Sequence, residues 1–143
     1  DSGEISVRNI YQLMPFENQI VIVEISGDKM MELLLYIQKK TTQQGRRSGV
    51  PVSRQLRIQL DSTNHEFTCL IKNKPFEENK TYKIVTSDYL AQGGDEMNFF
   101  YNPIQILETG IKLRDAFISL IREKDKKGII IKPLLDKRIM YVP

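Results

Sequence analysis

Tyr82-Lys83-Ile84-Val85-Thr86-Ser87-Asp88-Tyr89-Leu90-Ala91-Gln92-Gly93-Gly94-Asp95 is the stretch on which the reading of this chain turns. Tyr82, Ile84, Val85 and Thr86 are β-branched or aromatic and predict a strand. The strand runs into an aromatic residue, Tyr89, and then a double glycine delivers a carboxylate, Asp95. Paired glycines let the backbone take positive φ and come close to a ligand, which bulkier residues would prevent. An aromatic face beside a fixed carboxylate suits a ring that carries hydroxyl groups, such as a nucleoside or a sugar.

Upstream, Ser6 to Leu13 is expected to be a short helix, N-capped by Ser6 and ended by Pro15. Gln19 to Ile25 is β-branched almost throughout and predicts a strand covered on both faces. Gly27 breaks it, and Asp28 caps a helix to about Lys39 with Met30, Leu33, Leu34 and Ile37 as its apolar stripe. A polar loop, Thr41 to Gly49, follows. Strands are expected at Arg54–Leu60, Phe67–Ile71 and Thr81–Val85, with turns at Asp61–Asn64 and Asn73-Lys74-Pro75. A helix from Ile111 to Lys124 presents Leu113, Phe117, Leu120 and Ile121, and Gly128 ends it. Ile129-Ile130-Ile131 reads as a short strand and Ile139–Val142 as a last edge segment. Interleaved helices and hairpin-like turns point to a mixed α/β domain with helices covering the sheet.

The 143 residues are one domain's worth of chain, and a net charge of +3 is too mild to argue for a nucleic acid polymer or a membrane surface. No stretch approaches the roughly 18 apolar residues of a membrane span. Cys69 is the single cysteine, so an intrachain disulfide is excluded; in the run Phe67 to Ile71 it reads as a small buried hydrophobe. The opening Asp1-Ser2-Gly3, with no initiator methionine, is what a piece of a longer protein would show.

Six landmarks fall in the order of a known family. Gly3-Glu4-Ile5-Ser6 is similar to an opening Gly-x-Ile-Thr, and Met14-Pro15-Phe16 to x-Pro-Phe. Val23-Glu24-Ile25-Ser26-Gly27 is similar to Val-x-Leu-Thr-Gly, and Ser48-Gly49 to Ser-Gly. Residues 82–95 and Lys137-Arg138-Ile139 complete the set. The pattern resembles the C-terminal domain of 5′-nucleotidases, UDP-sugar hydrolases and cyclic-nucleotide phosphodiesterases. The resemblance covers essentially the whole chain, residues 1–143. It implies a mixed-sheet layered α/β/β/α domain beside a calcineurin-like metallophosphoesterase domain, in cis or in trans, whose two divalent metals cleave the phosphoester. It also implies a periplasmic or cell-surface setting, and rotation of this domain to carry substrate to the metals.

The resemblance gives the candidate residues their roles. Phe16 and Tyr89 would sandwich the base, Asp95 would hold the ribose hydroxyls, Gly93 and Gly94 would shape the loop, and Asn18 belongs to the same substrate set. Without it, Phe16 and Tyr89 would be taken for core aromatics and Asp95 for a turn residue. A two-sided aromatic clamp is chemically sensible because every base has a π face, and a carboxylate accepts strong hydrogen bonds from a vicinal diol.

Asn64-His65-Glu66 resembles the Gly-Asn-His-Glu metal motif, but Thr63 replaces its glycine and His65 is the only histidine. A two-metal centre cannot be completed from it, so His65 reads as a turn residue and this chain carries no metal or cofactor of its own. Gly-x-Ser-x-Gly, a P-loop and Gly-x-Gly-x-x-Gly are all absent, so the chain alone is not expected to catalyse. Glu17 stands where the family often has glycine, and Glu96-Met97 where glycine and an aromatic are common. Glu17 is expected to repel phosphate or alter its loop. These departures favour one alternative, an interaction domain that has lost nucleotide binding; recognition of UDP-sugars or cyclic nucleotides is a further one.

Overall fold

A computed structural model of the chain describes residues 3–42, 50–61, 66–132 and 136–142. In order, the elements are α1 (Val7–Leu13), β1 (Gln19–Ser26), α2 (Gly27–Thr42), β2 (Leu56–Asp61), β3 (Phe67–Ile71) and β4 (Lys74–Pro75). They continue with β5 (Thr81–Ser87), α3 (Asp88–Ala91), β6 (Gln105–Lys112), α4 (Leu113–Lys126) and β7 (Ile139–Val142). Single 3-10 turns at Gly94–Glu96 and Asn98–Phe100 lie between α3 and β6. The four helices and two sheets bear out the expected mixed α+β class. The chain divides into two compact units.

One unit comprises Asp1–Ile25 and Lys83–Pro133 and holds the three-stranded sheet β5-β1-β6. Ser6 caps α1 as expected: the Asn9 amide donates to Ser6 Oγ at 3.2 Å, and Asn9 Oδ1 accepts from the Ser6 amide at 2.9 Å. This reciprocal pair satisfies two N-terminal groups that the helix cannot satisfy itself. β1 is the central strand, with Val21, Val23 and Ile25 fully buried and the alternate residues half-buried, so its second face is covered less than its composition suggested.

β6 is an element that the sequence reading lacked. It pairs antiparallel with β1 (Val21↔Glu108, Ile22↔Leu107, Val23↔Ile106), with a register shift between Gln19 and Val21. Its apolar residues Ile106, Leu107 and Ile111 are exposed, so neither alternation nor a buried run marks it. The helix read from Ile111 therefore begins two residues later, at Leu113. Its inner side also differs from expectation: Phe117 and Leu120 are exposed, whereas Arg114 is buried. Gly128 ends α4 as expected, with its amide on the Asp125 carbonyl and the Ile129 amide on that of Lys124. Ile129, Ile130 and Ile131 form no strand; all three are exposed.

The other unit comprises Ser26–Tyr82 and Leu134–Pro143 and holds the four-stranded sheet β4-β3-β2-β7. The α2 stripe is buried as the 3.6-residue period demands, at Met30, Leu33, Leu34 and Ile37; Ile58, Leu60 and Cys69 are buried from the strands. β2 pairs antiparallel with β3 from Leu56↔Ile71 to Leu60↔Phe67, and parallel with β7 from Ile58↔Ile139. The β3–β4 turn sits one residue earlier than expected, at Lys72 and Asn73 with φ of 51° and 63°, and Lys74-Pro75 pairs with β3. Two successive left-handed residues match the right-handed twist of a hairpin. Gly27 marks a close approach: a Cβ there would lie 2.0 Å from the Glu78 carbonyl oxygen. Arg138 joins β7 to the chain before β2, donating through Nη1 to the Val52 carbonyl and through Nε to Asp136 at 2.8 Å.

Candidate functional site

Every expected site residue falls in the unit built on β5-β1-β6. Phe16 lies in the connection from α1 to β1 with 74% of its surface exposed, and Tyr89 lies in the first turn of α3 with 50% exposed. Neither is the core residue that its composition alone would suggest. Their segments are tied together by Asp88, whose Oδ1 accepts the Gln19 amide at 3.1 Å and the Tyr89 amide at 2.8 Å. The Asn18 carbonyl accepts the Leu113 amide at 2.9 Å, which fastens the same connection to the start of α4.

The double glycine works through close packing. Gly93 has φ of 85°, a conformation that side chains resist, and a Cβ there would lie 2.3 Å from the Tyr101 hydroxyl. A Cβ on Gly94 would lie 2.5 Å from the ring of Tyr89. Two tyrosine rings thus rest on successive glycines. Tyr101 was not singled out from the sequence; the signal that could have flagged it is an exposed aromatic following the Gly-Gly-Asp loop.

Asp95 and Glu96 both adopt left-handed backbone, with φ of 54° and 66°. That conformation disfavours a residue with a Cβ such as Glu96 by roughly 1–2 kcal/mol. The Tyr89 hydroxyl donates to Asp95 Oδ1 at 3.1 Å, so stacking face and carboxylate are linked directly. Met97 is buried, as are Phe99 and Phe100, so it serves as an apolar anchor for the loop.

Glu17 does not stand as a free negative charge. Its Oε2 accepts from Lys112 Nζ at 2.6 Å and its Oε1 from Arg114 Nη2 at 2.8 Å. The Lys112 hydrogen bond and charge, with Arg114 behind them, hold the Glu17 carboxyl below its ordinary pKa; the same contact raises Lys112 above its own. Two cations thus pair the charge that was expected to repel phosphate or alter its loop. Sequence reasoning missed Arg114 entirely, since a charge in a helical stripe ordinarily marks the solvated side.

His65, Ser48 and Gly49 lie outside the described residues. Cys69 is buried, and burial pushes its thiol up to about 11, which leaves it protonated and unreactive near neutrality. Among the described residues no group of three His, Cys, Asp or Glu side chains could hold a metal ion, and no helix is long and apolar enough to cross a membrane. A separate open groove, lined by Ile5, Ile10, Ile118, Ile121 and Ile130, contains none of the expected site residues.

A model of the family described as 5′-nucleotidase, C-terminal domain, matches residues 1–102. The chain belongs to that family. Among its relatives, the 5′-nucleotidase of Diplobatis ommata is 25% identical over 152 residues, covering 99% of this chain and 26% of that protein. Protein UshA of Yersinia enterocolitica is 25% identical over 96 residues, covering 66% of this chain and 16% of its own length. The solved 5′-nucleotidase precursor from Thermus thermophilus superposes with a TM-score of 0.73 at 21% identity, over 96% of this chain and 28% of that one. The Haemophilus influenzae NAD nucleotidase gives 0.69 at 18% identity, over 96% and 26%. The likeness to these structures is one of fold, and this 5′-nucleotidase C-terminal domain spans about a quarter of the 5′-nucleotidase it matches from end to end.

Proposed function

We propose that this domain recognises the nucleoside part of a nucleotide on behalf of a phosphoester hydrolase. Phe16 and Tyr89 stack the base, Asp95 accepts the ribose hydroxyls, Gly93 and Gly94 shape the loop that presents it, and Asn18 completes the set. The observation that carries the reading is the pair of exposed aromatics on segments joined at Asp88, one of them hydrogen-bonded to Asp95. A calcineurin-like metallophosphoesterase domain, in cis or in trans, supplies two divalent metals and the hydrolytic chemistry in a periplasmic or cell-surface protein. The nucleotidase names of the relatives support the nucleotide part of this reading.

The alternative of a fold that has lost nucleotide binding drew on Glu17, Glu96 and Met97. The ion pairs of Glu17 and the anchoring by Met97 weigh against it. Two stacking faces at about 1–3 kcal/mol each, less the cost of ordering, correspond to roughly millimolar affinity for a nucleoside. The test is an NMR titration with adenosine to several times that concentration, beside Phe16→Ala and Tyr89→Ala. Saturable shifts that both substitutions abolish are expected. Binding that survives both would reject the clamp, and no binding by the wild type would reject nucleoside recognition by this domain.

A further inference from the structure

Arg114 is 6% exposed, yet it reaches α1 and the segment that carries Phe16 in three ways. Its guanidinium lies 4.0 Å above the ring of Tyr11, its Nη1 donates to the Met14 carbonyl at 3.2 Å, and its Nη2 meets Glu17 at 2.8 Å. Arg114 Nε is buried without a hydrogen-bond partner, so the side chain is placed by these contacts and not by its own full solvation. Lys112 holds the other oxygen of the Glu17 carboxylate at 2.6 Å. These bonds fall on both sides of Phe16, at Met14 and at Glu17, while Phe16 itself stays exposed.

We infer that Arg114 and Lys112, acting through Glu17, are positioning residues that set Phe16 for stacking. The inference rests on the recognition reading above. The physical case is one of rigidity: an exposed aromatic stacks well only if its backbone is already ordered, because freezing a loop on binding subtracts from affinity. Arg114 cannot reach a ligand itself, since α1 and the Met14–Glu17 turn cover it. A glycine at position 17 could not be held this way, so this bracing belongs to chains that pair a carboxylate there with cations from α4 and its N-cap.

The experiment uses the whole chain with Glu17→Gln and Lys112→Gln, each also made in a Phe16→Leu background that keeps apolar contact with a base but has no ring to orient. In the ligand-free protein, the ring resonances of Phe16 and Tyr11 are expected to move in both variants. Adenosine affinity is expected to fall about three- to tenfold in Glu17→Gln and less in Lys112→Gln, with under a twofold change when Phe16 is already leucine. Losses of equal size in both backgrounds, or unmoved Phe16 ring signals, overturn the inference. Should Glu17→Gln fail to fold, Lys112→Gln, which leaves the Arg114 pair intact, decides alone. A wild type that binds no adenosine sinks the recognition reading, while the ring resonances still test the bracing.

Discussion

Tyr89→Phe isolates the link between the stacking face and the carboxylate. The ring stays, so its packing on Gly94 and its proposed stacking on a base are kept; only the hydroxyl that donates to Asp95 Oδ1 is lost. A hydrogen bond to a charged acceptor contributes about 1.5–3 kcal/mol when shielded. This one is 3.1 Å long, beyond the usual O–H···O range, and both groups are exposed. Solvent screening therefore brings its worth to about 0.5–1 kcal/mol, a two- to fivefold change in affinity. A carboxylate can accept about four hydrogen bonds, so the tyrosine orients Asp95 without filling it. The loss must appear only with ligands that use the carboxylate. Parallel titrations with adenosine and with adenine, which has no ribose, make the comparison. Adenosine should weaken two- to fivefold while adenine is unchanged. Equal losses for both, or tighter adenosine binding, would refute the idea that Tyr89 serves the ribose through Asp95.

Gly94→Ala should act oppositely on the same ring. Its Cβ would lie 2.5 Å from Tyr89, so the ring must swing away, at about 1–3 kcal/mol of overpacking; adenine and adenosine binding should fall together, with equal affinity to wild type contradicting the geometry. Asp136 supplies a pH prediction. The Arg138 hydrogen bond lowers its pKa below the ordinary 3.8, so its contribution to stability is complete above that value and is lost as the pH falls through the lower folded value. The Tm of the wild type should thus drop more steeply than that of Asp136→Asn below pH 3.8, and parallel curves would show the pair to be inert.

What could be read from residues alone was whatever repeats locally. The α2 stripe and the Ser6 cap are encoded within a few neighbouring positions and formed where their patterns placed them, while β2, expected at Arg54–Leu60, runs from Leu56 to Asp61 beside β3. β6 carries its apolar residues on the outside, so no periodicity separates it from a loop. In α4 the apolar side chains Phe117 and Leu120 are exposed and a cation lies within, which inverts the usual sense of amphipathicity. The candidate site divides in the same way. Tyr89, the glycines and Asp95 sit within one short motif, so they could be named as candidates from it. The partners of Glu17 lie 95 and 97 positions away, and only folding reveals that they meet it.

That separation bears on hybrids between relatives. Exchanging residues 1–25 for a segment with glycine at position 17 would leave the Arg114 guanidinium buried with its carboxylate removed. Glu17 is itself exposed, and Tyr11 and the Met14 carbonyl would still hold the cation, so the expected result is a moderate loss of stability. Residues 17, 112 and 114 therefore form one unit of exchange, although the family match ends at residue 102. An amino-terminal loop moved into another member keeps this bracing when the start of α4 travels with it.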